Sequence, residues 1–434
     1  MTRLPPGPST WKALQRLEFL AARQRMVQRL TRRYGAAFTI NAPIFGPAVI
    51  VTDPDLARQV LLAGPDDLSA RRPNLSQLLG PGSTFALDGP EHRQRRNLLG
   101  PPFHGKNVRA YEEVFAEETQ AEIAGWPDGK PFETLAPMLR ITLNVILRTI
   151  FGAGGAEIDE LRQMMLPMVR LGALLVMLPI PSPSSVLSRS RLTPWGWLAE
   201  RRARYETIID TLIDQARISG TGRADVLNWL LRSSYEDGTV MSRQDLGDEL
   251  LGLLVAGHET TASTLAWTFE RISRHPELLT ALVAEADAGG NTLRRATIRE
   301  VQRTRTVIDF AARRVQVPAF PLGEWVIPRG YAVLVAIDQI HRSAGVFPDP
   351  EWFDPHRYTG ASGPSAFEWL PYGGGVRRCP GSTFANLEMD VVLRTVLQHL
   401  QIQPSTEPAE PPRPRGIAFK PKRGGRIVVH RRRP

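Results

Sequence analysis

The sequence predicts a mainly α-helical fold with a small β portion, an α+β protein, from two observations. Helical patterns separated by proline and glycine breaks fill most of the chain between about residues 60 and 310. Alternating apolar and polar residues, typical of strands, occur at 36–54 and again at 314–337. The β portion is therefore assembled from both ends of the chain.

The same distribution bears on domain organisation. A length of 434 residues would by itself favour two domains. However, no repeat and no low-complexity linker divides the chain. The strands predicted near its two ends would have to pair with one another to form a sheet. We therefore predict one catalytic domain over residues 1–434. Its N-terminal helix and β portion occupy about 1–60, and its helical portion occupies about 61–434.

Local signals define the first elements. A helical pattern covers residues 11–34, and 36–54 reads as a hairpin around a Gly-Pro turn. Asp53 is placed to cap the next helix, DLARQVLL, with Pro54 at its first position.

Two later helices are equally well marked. The longest helical pattern covers 242–275, and Ser242 with Asp245 forms a capping signature at its start. The pattern of 381–400 predicts another helix, with Pro380 in its first turn.

Composition limits the class of protein. With 42% hydrophobic residues the chain can bury a large core, and a single cysteine excludes an intrachain disulfide and fits a reducing cytosol. The longest nearly apolar stretch, 171–180, is far shorter than the roughly 20 residues that span a bilayer. We predict a cytoplasmic protein without a transmembrane anchor.

The net charge of +10 raises the question of nucleic acid. The basic residues are scattered among acidic ones, except in the final VVHRRRP, and no zinc-finger spacing occurs. We predict no nucleic-acid partner. A solvated basic surface, or one that binds an acidic protein, fits the pattern better.

The single cysteine, Cys379, lies in YGGGVRRCPG, directly before a predicted helix. A thiolate there is a strong soft metal ligand, but one cysteine with no histidine nearby argues against zinc. A nucleophilic cysteine stays open, since arginines and a helix N-terminus favour the thiolate. Haem iron is the third candidate, because the glycines would allow close approach and the arginines could bind propionates.

This loop resembles the F-G-x-G-x-R-x-C-x-G haem loop of the cytochrome P450 superfamily, with a tyrosine in place of the phenylalanine. The match includes Tyr372, Gly373, Arg377, Cys379 and Gly381, and the A-x-x-E extension continues with Ala385 and Glu388. The resemblance implies the triangular helical haem fold of that family, with a long central helix.

Two further stretches carry the resemblance. AGHETT, from Ala256 and Gly257 to Glu259 and Thr260, is similar to the family's oxygen-activating motif. Read alone, Thr260 would merely bond back to the Ala256 carbonyl. A zincin motif is excluded because no second histidine lies four residues after the first.

The family's E-x-x-R pair is matched by Glu300 and Arg303, which share one helix face. Arg357, in PHRY where the family has P-E-R-F, would complete this structural network. Two departures accompany the match, His356 for glutamate and TRTVID in place of L-R-P-P.

Four basic residues resemble the family's propionate ligands. His92 and Arg96 are four apart on one predicted helix, although EHRQRR read alone would be a solvated face. The others are Arg313, with Arg314 as the alternative, and Arg377 in the cysteine loop.

The resemblance implies a monooxygenase with haem b and Cys379 as the axial thiolate. It would insert one oxygen atom from O2 into a small hydrophobic substrate, with Glu259 and Thr260 governing proton delivery. The 55 residues after Cys379 are too few for a reductase domain, so we expect separate electron donors, ferredoxin and ferredoxin reductase.

By the same analogy four segments would line the substrate pocket: Pro73–Leu87, Met164–Trp197, Leu250–Val255 and Val307–Ala312. Asp309, an acid in an apolar segment, would either contact a polar substrate group or form a turn. Three alternatives stay open: a haem-thiolate enzyme that uses peroxide, dehydrates or isomerises; a haem sensor or carrier without turnover; and a haem-free hydrolase using Cys379.

Overall fold

The computed structural model describes residues 3–70, 73–152, 154–178, 181, 185, 190–219, 225–360 and 363–432. The chain folds into two compact units. The first comprises Met1–Arg72, Leu87–Arg93 and Arg299–Cys379, and the second comprises Pro73–Ala86, Gln94–Ile298 and Pro380–Pro434. The prediction that the whole chain is one catalytic domain stays a prediction.

The first unit is built on a five-stranded sheet, whose strands in spatial order are β1 (Ala37–Ala42), β2 (Gly46–Val51), β8 (Ala332–Ala336), β5 (Phe310–Val315) and β3 (Leu68–Ser69). β2 and β8 pair in parallel, with Ala48 opposite Ala332, and the other pairs are antiparallel. β6 and β7 form a separate hairpin. The strands of this hairpin are β6 (Ala319–Leu322) and β7 (Trp325–Pro328).

Three helices accompany this sheet: α1 (Lys12–Tyr34), α2 (Pro54–Leu62) and α14 (Ile337–Ile340). The predicted cap of α2 is confirmed, because Asp53 Oδ1 accepts from the amides of Asp55 and Leu56 at 3.0 Å. Valines of β2 and β8 are fully buried together with the apolar face of α2. The predicted β portion, drawn from both ends of the chain, is therefore correct.

The second unit is mostly helical. Its helices are α3 (Pro73–Leu79), α5 (Gly105–Arg109), α6 (Glu112–Ala124), α7 (Leu135–Phe151), α8 (Ala156–Leu175), α9 (Pro194–Ser219), α10 (Val226–Arg232), α11 (Arg243–Ile272), α12 (Pro276–Asp287) and α15 (Ser382–His399). Two more helices, α4 (Gly89–Leu99) and α13 (Thr292–Thr304), begin in one unit and end in the other.

Short two-stranded sheets complete the second unit: β10 (Pro412–Arg415) with β11 (Ala418–Pro421), β12 (Arg426–Ile427) with β4 (Phe132–Glu133), and β13 (Val429–Arg431) with β9 (Leu400–Ile402). The mainly α fold with a small β portion is confirmed.

The central helix α11 is 30 residues long, about 45 Å at 1.5 Å per residue. Ser242 caps it, its hydroxyl accepting from the Asp245 amide at 3.1 Å, as the sequence predicts. Apolar side chains of α7, α9, α11 and α15 form the core of this unit. Among the described residues no helix is long and apolar enough to cross a membrane. Of the apolar stretch 171–180, residues 179 and 180 lie outside the described residues.

The start of α15 corrects one expectation. The helix begins at Ser382 with Gly381 as its N-cap, so Pro380 is in the preceding turn and not in the first helical turn. Cys379 lies two residues before the N-cap. Two glycine-permitted turns, at Gly373 and Gly375, lead into the cysteine and keep its segment outside the helix.

Candidate active site

The cysteine loop is a tightly bonded structure of the first unit. The Cys379 amide donates to the Tyr372 carbonyl at 2.9 Å, and the Arg378 amide donates to the Gly375 carbonyl at 3.0 Å. Gly375 has φ +64°, and a Cβ there would lie 1.9 Å from the Leu61 carbonyl oxygen of α2. Only glycine permits both this backbone and this approach. The loop thus holds a half-buried thiol in a fixed frame.

The donor set agrees with a haem ligand and not with a structural metal site. Within the described ranges no three His, Cys, Asp or Glu residues are grouped so as to hold a metal ion. A single soft sulfur donor in a glycine-lined loop suits one axial position of haem iron.

Tyr372, the departure from the family's phenylalanine, has a polar partner. Its hydroxyl accepts from Gln302 Nε2 at 2.8 Å, which ties the start of the loop to α13. Its ring makes an edge contact with Trp369, with centroids 6.2 Å apart. The extra hydroxyl is therefore accommodated, and Gln302 is a residue that sequence reasoning missed.

The first unit also contains three of the four predicted propionate ligands. His92 and Arg313 are buried, with 4% and 6% of their surface exposed. Arg314, the alternative to Arg313, instead donates to the Gly330 carbonyl at 2.7 Å near the surface. Both side chains therefore lie in the interior and not on a solvated face, and Arg313 donates to the Ala312 carbonyl at 3.0 Å.

Arg377 forms an ion pair with Asp88, a residue that the sequence did not indicate as part of the site. Its guanidinium donates to Asp88 Oδ1 and to the Leu87 carbonyl, each at 2.5 Å. Burial lowers the pKa of Arg377, while Asp88 opposes the shift. Any ligand carboxylate at Arg377 would share the guanidinium with Asp88.

Arg96, the fourth predicted ligand, follows His92 by one turn of α4 and is half-buried. Its neighbour Arg95 is buried in the second unit, where it donates to the Tyr235 hydroxyl at 2.8 Å. EHRQRR is thus not a uniformly solvated face, because His92 and Arg95 are both buried.

The AGHETT segment lies in the middle of α11, in the second unit. Thr260 Oγ1 donates to the Ala256 carbonyl at 2.9 Å, which is the local bond that the sequence alone favours. Ala256 is exposed and Thr260 half-buried, although most of α11 is buried. A Cβ at Gly257 would lie 3.2 Å from Ile146 Cδ1, so the small residue allows close packing on α7.

His258 has a packing function within this motif. Its Nδ1 lies 2.7 Å from the Leu254 carbonyl, and its own carbonyl accepts from Thr142 Oγ1 at 3.0 Å. Burial lowers the pKa of His258 to about 4, so the imidazole is neutral at pH 7. The neutral imidazole of His258 therefore adds no positive charge next to Glu259.

Glu259 forms an ion pair that no sequence signal predicted. Arg415 Nε, at the end of β10, lies 2.8 Å from Glu259 Oε1, and both side chains are largely buried. Burial raises the pKa of the Glu259 carboxyl, and the positive charges of Arg415 and Lys420 oppose that shift. The second unit thus contains an acid whose charge depends on a specific guanidinium.

The Glu300, Arg303 and Arg357 network forms in the first unit. Arg303 makes a bidentate pair with Glu300, with N–O distances of 2.7 and 2.8 Å, and both side chains are fully buried. Arg357 Nε lies 3.7 Å from Glu300 Oε1. The same carboxylate accepts from the Asp354 amide at 2.9 Å, and Arg303 donates to the carbonyls of His341, Pro350 and Trp352.

Three predicted residues follow the cysteine on α15. Gly381, its N-cap, and Ala385, in its first turn, are half-buried. Glu388 is buried, and burial raises the pKa of its carboxyl well above the ordinary value.

Asp309 has a partner that neither expectation named. It pairs with Arg23 of α1, with Nε and Oδ2 2.7 Å apart and both side chains 6% exposed. Burial raises the pKa of Asp309 to about 6, and Arg23 opposes the shift. The residue therefore joins α1 to the position directly before β5, and its predicted contact with a substrate or role in a turn stays a prediction. Of the predicted pocket segments, Met164–Trp197 lies partly outside the described residues.

Comparisons with known proteins match nearly the whole chain. The sequence profile of the family Cytochrome P450 matches residues 4–427. Cytochrome P450 138 of Mycobacterium tuberculosis is 56% identical over 434 residues, which cover 100% of this chain and 97% of that protein. Cytochrome P450 135B1 of the same organism is 38% identical over 437 residues, covering 98% and 91%. The structure of retinoic acid bound cyanobacterial CYP120A1 has a TM-score of 0.86 at 23% identity and covers 100% of both chains.

These matches define an oxidoreductase of the haem-thiolate class. The chain belongs to the cytochrome P450 family. It is a monooxygenase whose reaction requires haem with a cysteine thiolate ligand, O2, an organic substrate and electrons from a redox partner.

Proposed function

We propose that Cys379 is the axial ligand of haem b in a monooxygenase that hydroxylates a small hydrophobic substrate with electrons from a ferredoxin. The observation that carries the proposal is the frame around Cys379. Two positive-φ glycines and the Cys379–Tyr372 backbone bond hold the thiol in place. Cys379 is also the single cysteine of the chain, so it alone can supply the thiolate that the family requires.

When bound, haem supplies the oxygen-activating chemistry, and its electron-rich thiolate ligand favours cleavage of the O–O bond. The protein's own contribution begins with the propionates. His92, Arg96, Arg313 and Arg377 would bind them, since charge-assisted hydrogen bonds to carboxylates are strong where water is excluded. The burial of His92 and Arg313 supports this assignment.

Proton delivery would depend on Glu259 and Thr260. The Thr260 hydroxyl is both donor and acceptor, so it can exchange its bond to the Ala256 carbonyl for one to a reacting group. Burial raises the pKa of the Glu259 carboxyl while Arg415 and Lys420 oppose the shift, and a carboxyl in this setting can hold and release a proton. The presence of both residues supports O2-dependent turnover over a peroxide-using, dehydrating or isomerising reaction.

A hydrophobic substrate is supported by the apolar composition of Leu250–Val255, and an acidic ferredoxin is supported by the net charge of +10. We expect reduction by an acidic ferredoxin to slow steeply as ionic strength rises, because screening weakens long-range attraction.

The test is the carbon monoxide difference spectrum of the reduced, haem-supplemented protein. We expect the band of thiolate-ligated haem in the wild type and its loss in Cys379→Ser, while Ser382→Ala at the start of α15 retains it. An unchanged band in Cys379→Ser, or a wild type that binds no haem, would refute the proposal. Turnover with a surrogate ferredoxin and reductase then separates a monooxygenase from a sensor or carrier.

A further inference from the structure

An apolar face of α1 is exposed in the first unit. Trp11, Leu14, Leu17 and Leu20 expose 74%, 55%, 63% and 43% of their surface. At 100° per residue, Leu14, Leu17 and Leu20 lie on one side of the helix, and Trp11 is at its N-cap. These four residues, called the α1 patch below, form one continuous apolar stripe. They are not isolated exposed side chains.

The opposite side of α1 is firmly attached to the protein. Gln15 accepts from the Asn41 amide of β1 at 2.8 Å, and Phe19 stacks on Phe310 with centroids 5.7 Å apart. The buried Arg23–Asp309 pair fixes the segment of α1 that follows a kink at Ala22 (φ −151°, ψ 42°). The helix cannot rotate to bury the α1 patch without breaking these contacts, so the patch is presented rigidly.

Positive charge surrounds the α1 patch. Glu18 is the single acidic residue between positions 12 and 34, and it pairs with Arg29 at 2.7 Å. Lys12 and Arg16 precede Leu20 by eight and four residues, which places them in one row bordering the patch. Lys12 and Arg16 are exposed in the segment that carries the patch, where Arg16 Nε also donates to Asn41 Oδ1 at 2.5 Å. Four further exposed basic residues lie in the segment after the kink at Ala22: Arg25, Arg29, Arg32 and Arg33.

The composition of the α1 patch and its border, and not its size, indicates its partner. Its four side chains expose on the order of 500 Å², since a large side chain presents roughly 150–250 Å². A stable protein–protein interface buries roughly 800 Å² on each partner, of which about 60% is apolar, so the area of the patch leaves a second copy to the test below. An apolar stripe bordered by cations and ended by a tryptophan instead matches a helix that lies in the surface of a bilayer.

We propose that the α1 patch binds the surface of membranes that contain anionic phospholipids. Leucines and Trp11 enter the headgroup region, and Lys12 and Arg16 contact lipid phosphates at its border. Association is peripheral and reversible, because it uses one helical face and no spanning segment. Each basic residue near the anionic surface strengthens binding about fivefold.

Co-sedimentation of the full chain with vesicles tests the proposal. Vesicles of phosphatidylcholine with about 30% phosphatidylglycerol are compared with pure phosphatidylcholine. We expect wild type to bind the anionic vesicles, and Leu14→Gln/Leu17→Gln to weaken that binding at least about tenfold. The control Ile218→Gln/Val240→Gln alters two side chains that are 86% and 66% exposed elsewhere, and it should bind as wild type.

A second variant tests the charge. Lys12→Glu should weaken binding to the anionic vesicles at least about fivefold and retain the melting temperature of wild type, because its side chain is exposed. Absence of wild-type binding, or equal weakening in the Ile218/Val240 control, would overturn the proposal. A wild-type dimer that becomes monomeric in Leu14→Gln/Leu17→Gln would also overturn it and assign the patch to a second copy.

Discussion

The guanidinium of Arg415 lies 2.8 Å from the carboxylate of Glu259, in a largely buried ion pair that joins the β10–β11 hairpin to the central helix. The hairpin tip is fixed by Gly416, where a Cβ would lie 2.1 Å from the Ala173 carbonyl oxygen. A residue 156 positions away therefore opposes the rise that burial causes in the pKa of Glu259.

Arg415→Gln removes the cation that opposes burial, so the pKa of Glu259 should rise further. If Glu259 delivers protons, the pH dependence of product formation moves to higher pH. Glu259→Gln should lower turnover by about 10²-fold or more. Steady-state product formation against pH is the measurement, with Arg413→Gln on the same hairpin as the control. A profile of Arg415→Gln that matches that of wild type would contradict the assignment.

Thr260→Ala removes the hydroxyl while leaving the helix intact. We expect O2 consumption to continue and the product formed per O2 consumed to fall about tenfold or more. Simultaneous oxygen-electrode and product measurements provide this ratio. Thr260→Ser, which keeps the hydroxyl, should remain coupled, as should Thr261→Ala, whose hydroxyl donates to the Gly257 carbonyl. Unchanged coupling in Thr260→Ala removes the residue from proton delivery.

Arg303→Met should lower the free energy of unfolding by about 3–5 kcal/mol, because it leaves the buried Glu300 carboxylate without its bidentate partner. Arg357→Met should have a smaller effect, since its Nε lies 3.7 Å from the same carboxylate and its side chain is more exposed. Urea denaturation at pH 7 compares the two. Equal losses in both variants would show that Arg303 is not the main partner.

Two glycines of the cysteine loop should respond differently to alanine. Gly373 has φ +65° with open space around it, so Gly373→Ala should lose only about 1–2 kcal/mol of unfolding free energy from backbone strain. Gly375→Ala adds a collision with the Leu61 carbonyl and should displace the loop. The fraction of thiolate-ligated haem, read from the carbon monoxide spectrum, should fall mainly in Gly375→Ala. The reverse order would contradict the described loop packing.

Acid sensitivity should come partly from buried histidines. His341 accepts from the Leu370 amide at 2.8 Å, and burial lowers its pKa to about 3, as burial lowers the pKa of His258 to about 4. Below pH 6.5 the unfolded chain binds protons that the folded chain excludes, so stability falls as pH drops from 6.5 toward 4. Each histidine contributes about 1.4 kcal/mol per pH unit.

His341→Gln removes one of these titrations. The slope of unfolding free energy against pH between 6.5 and 4 should then decrease by about 1.4 kcal/mol per unit. Urea denaturation at several pH values measures the slope, and His356→Gln, at an exposed imidazole, should keep that of wild type. An unchanged slope in His341→Gln would mean that its imidazole is not held neutral in the fold.

The sequence predicted the features that depend on local chemistry. The caps at Asp53 and Ser242, the hairpin of β1 and β2 and the length of α11 follow from residue types a few positions apart. The cysteine loop was found in the same way, because its glycines, arginines and cysteine are contiguous.

The remaining features depend on contacts between distant residues. Arg415 is one of many arginines, and nothing in its neighbours indicates a glutamate on α11. The Arg23–Asp309 pair, the engagement of Arg377 by Asp88 and the bond from Gln302 to Tyr372 are similarly invisible in sequence. The predicted position of Pro380 was wrong for a different reason. Helix propensity favours a helix from about residue 380, but it does not show that the turns at the preceding glycines move the first helical residue to Ser382.

The parallel pairing of Ala48 with Ala332 has a consequence for biosynthesis. During translation the N-terminal hairpin leaves the ribosome long before β8 is synthesised. One edge of β2 therefore stays without its hydrogen-bonding partner until most of the polypeptide has been made. Nascent chains that stop before β8 should therefore bind chaperones or aggregate, and full-length chains should refold slowly after dilution from denaturant.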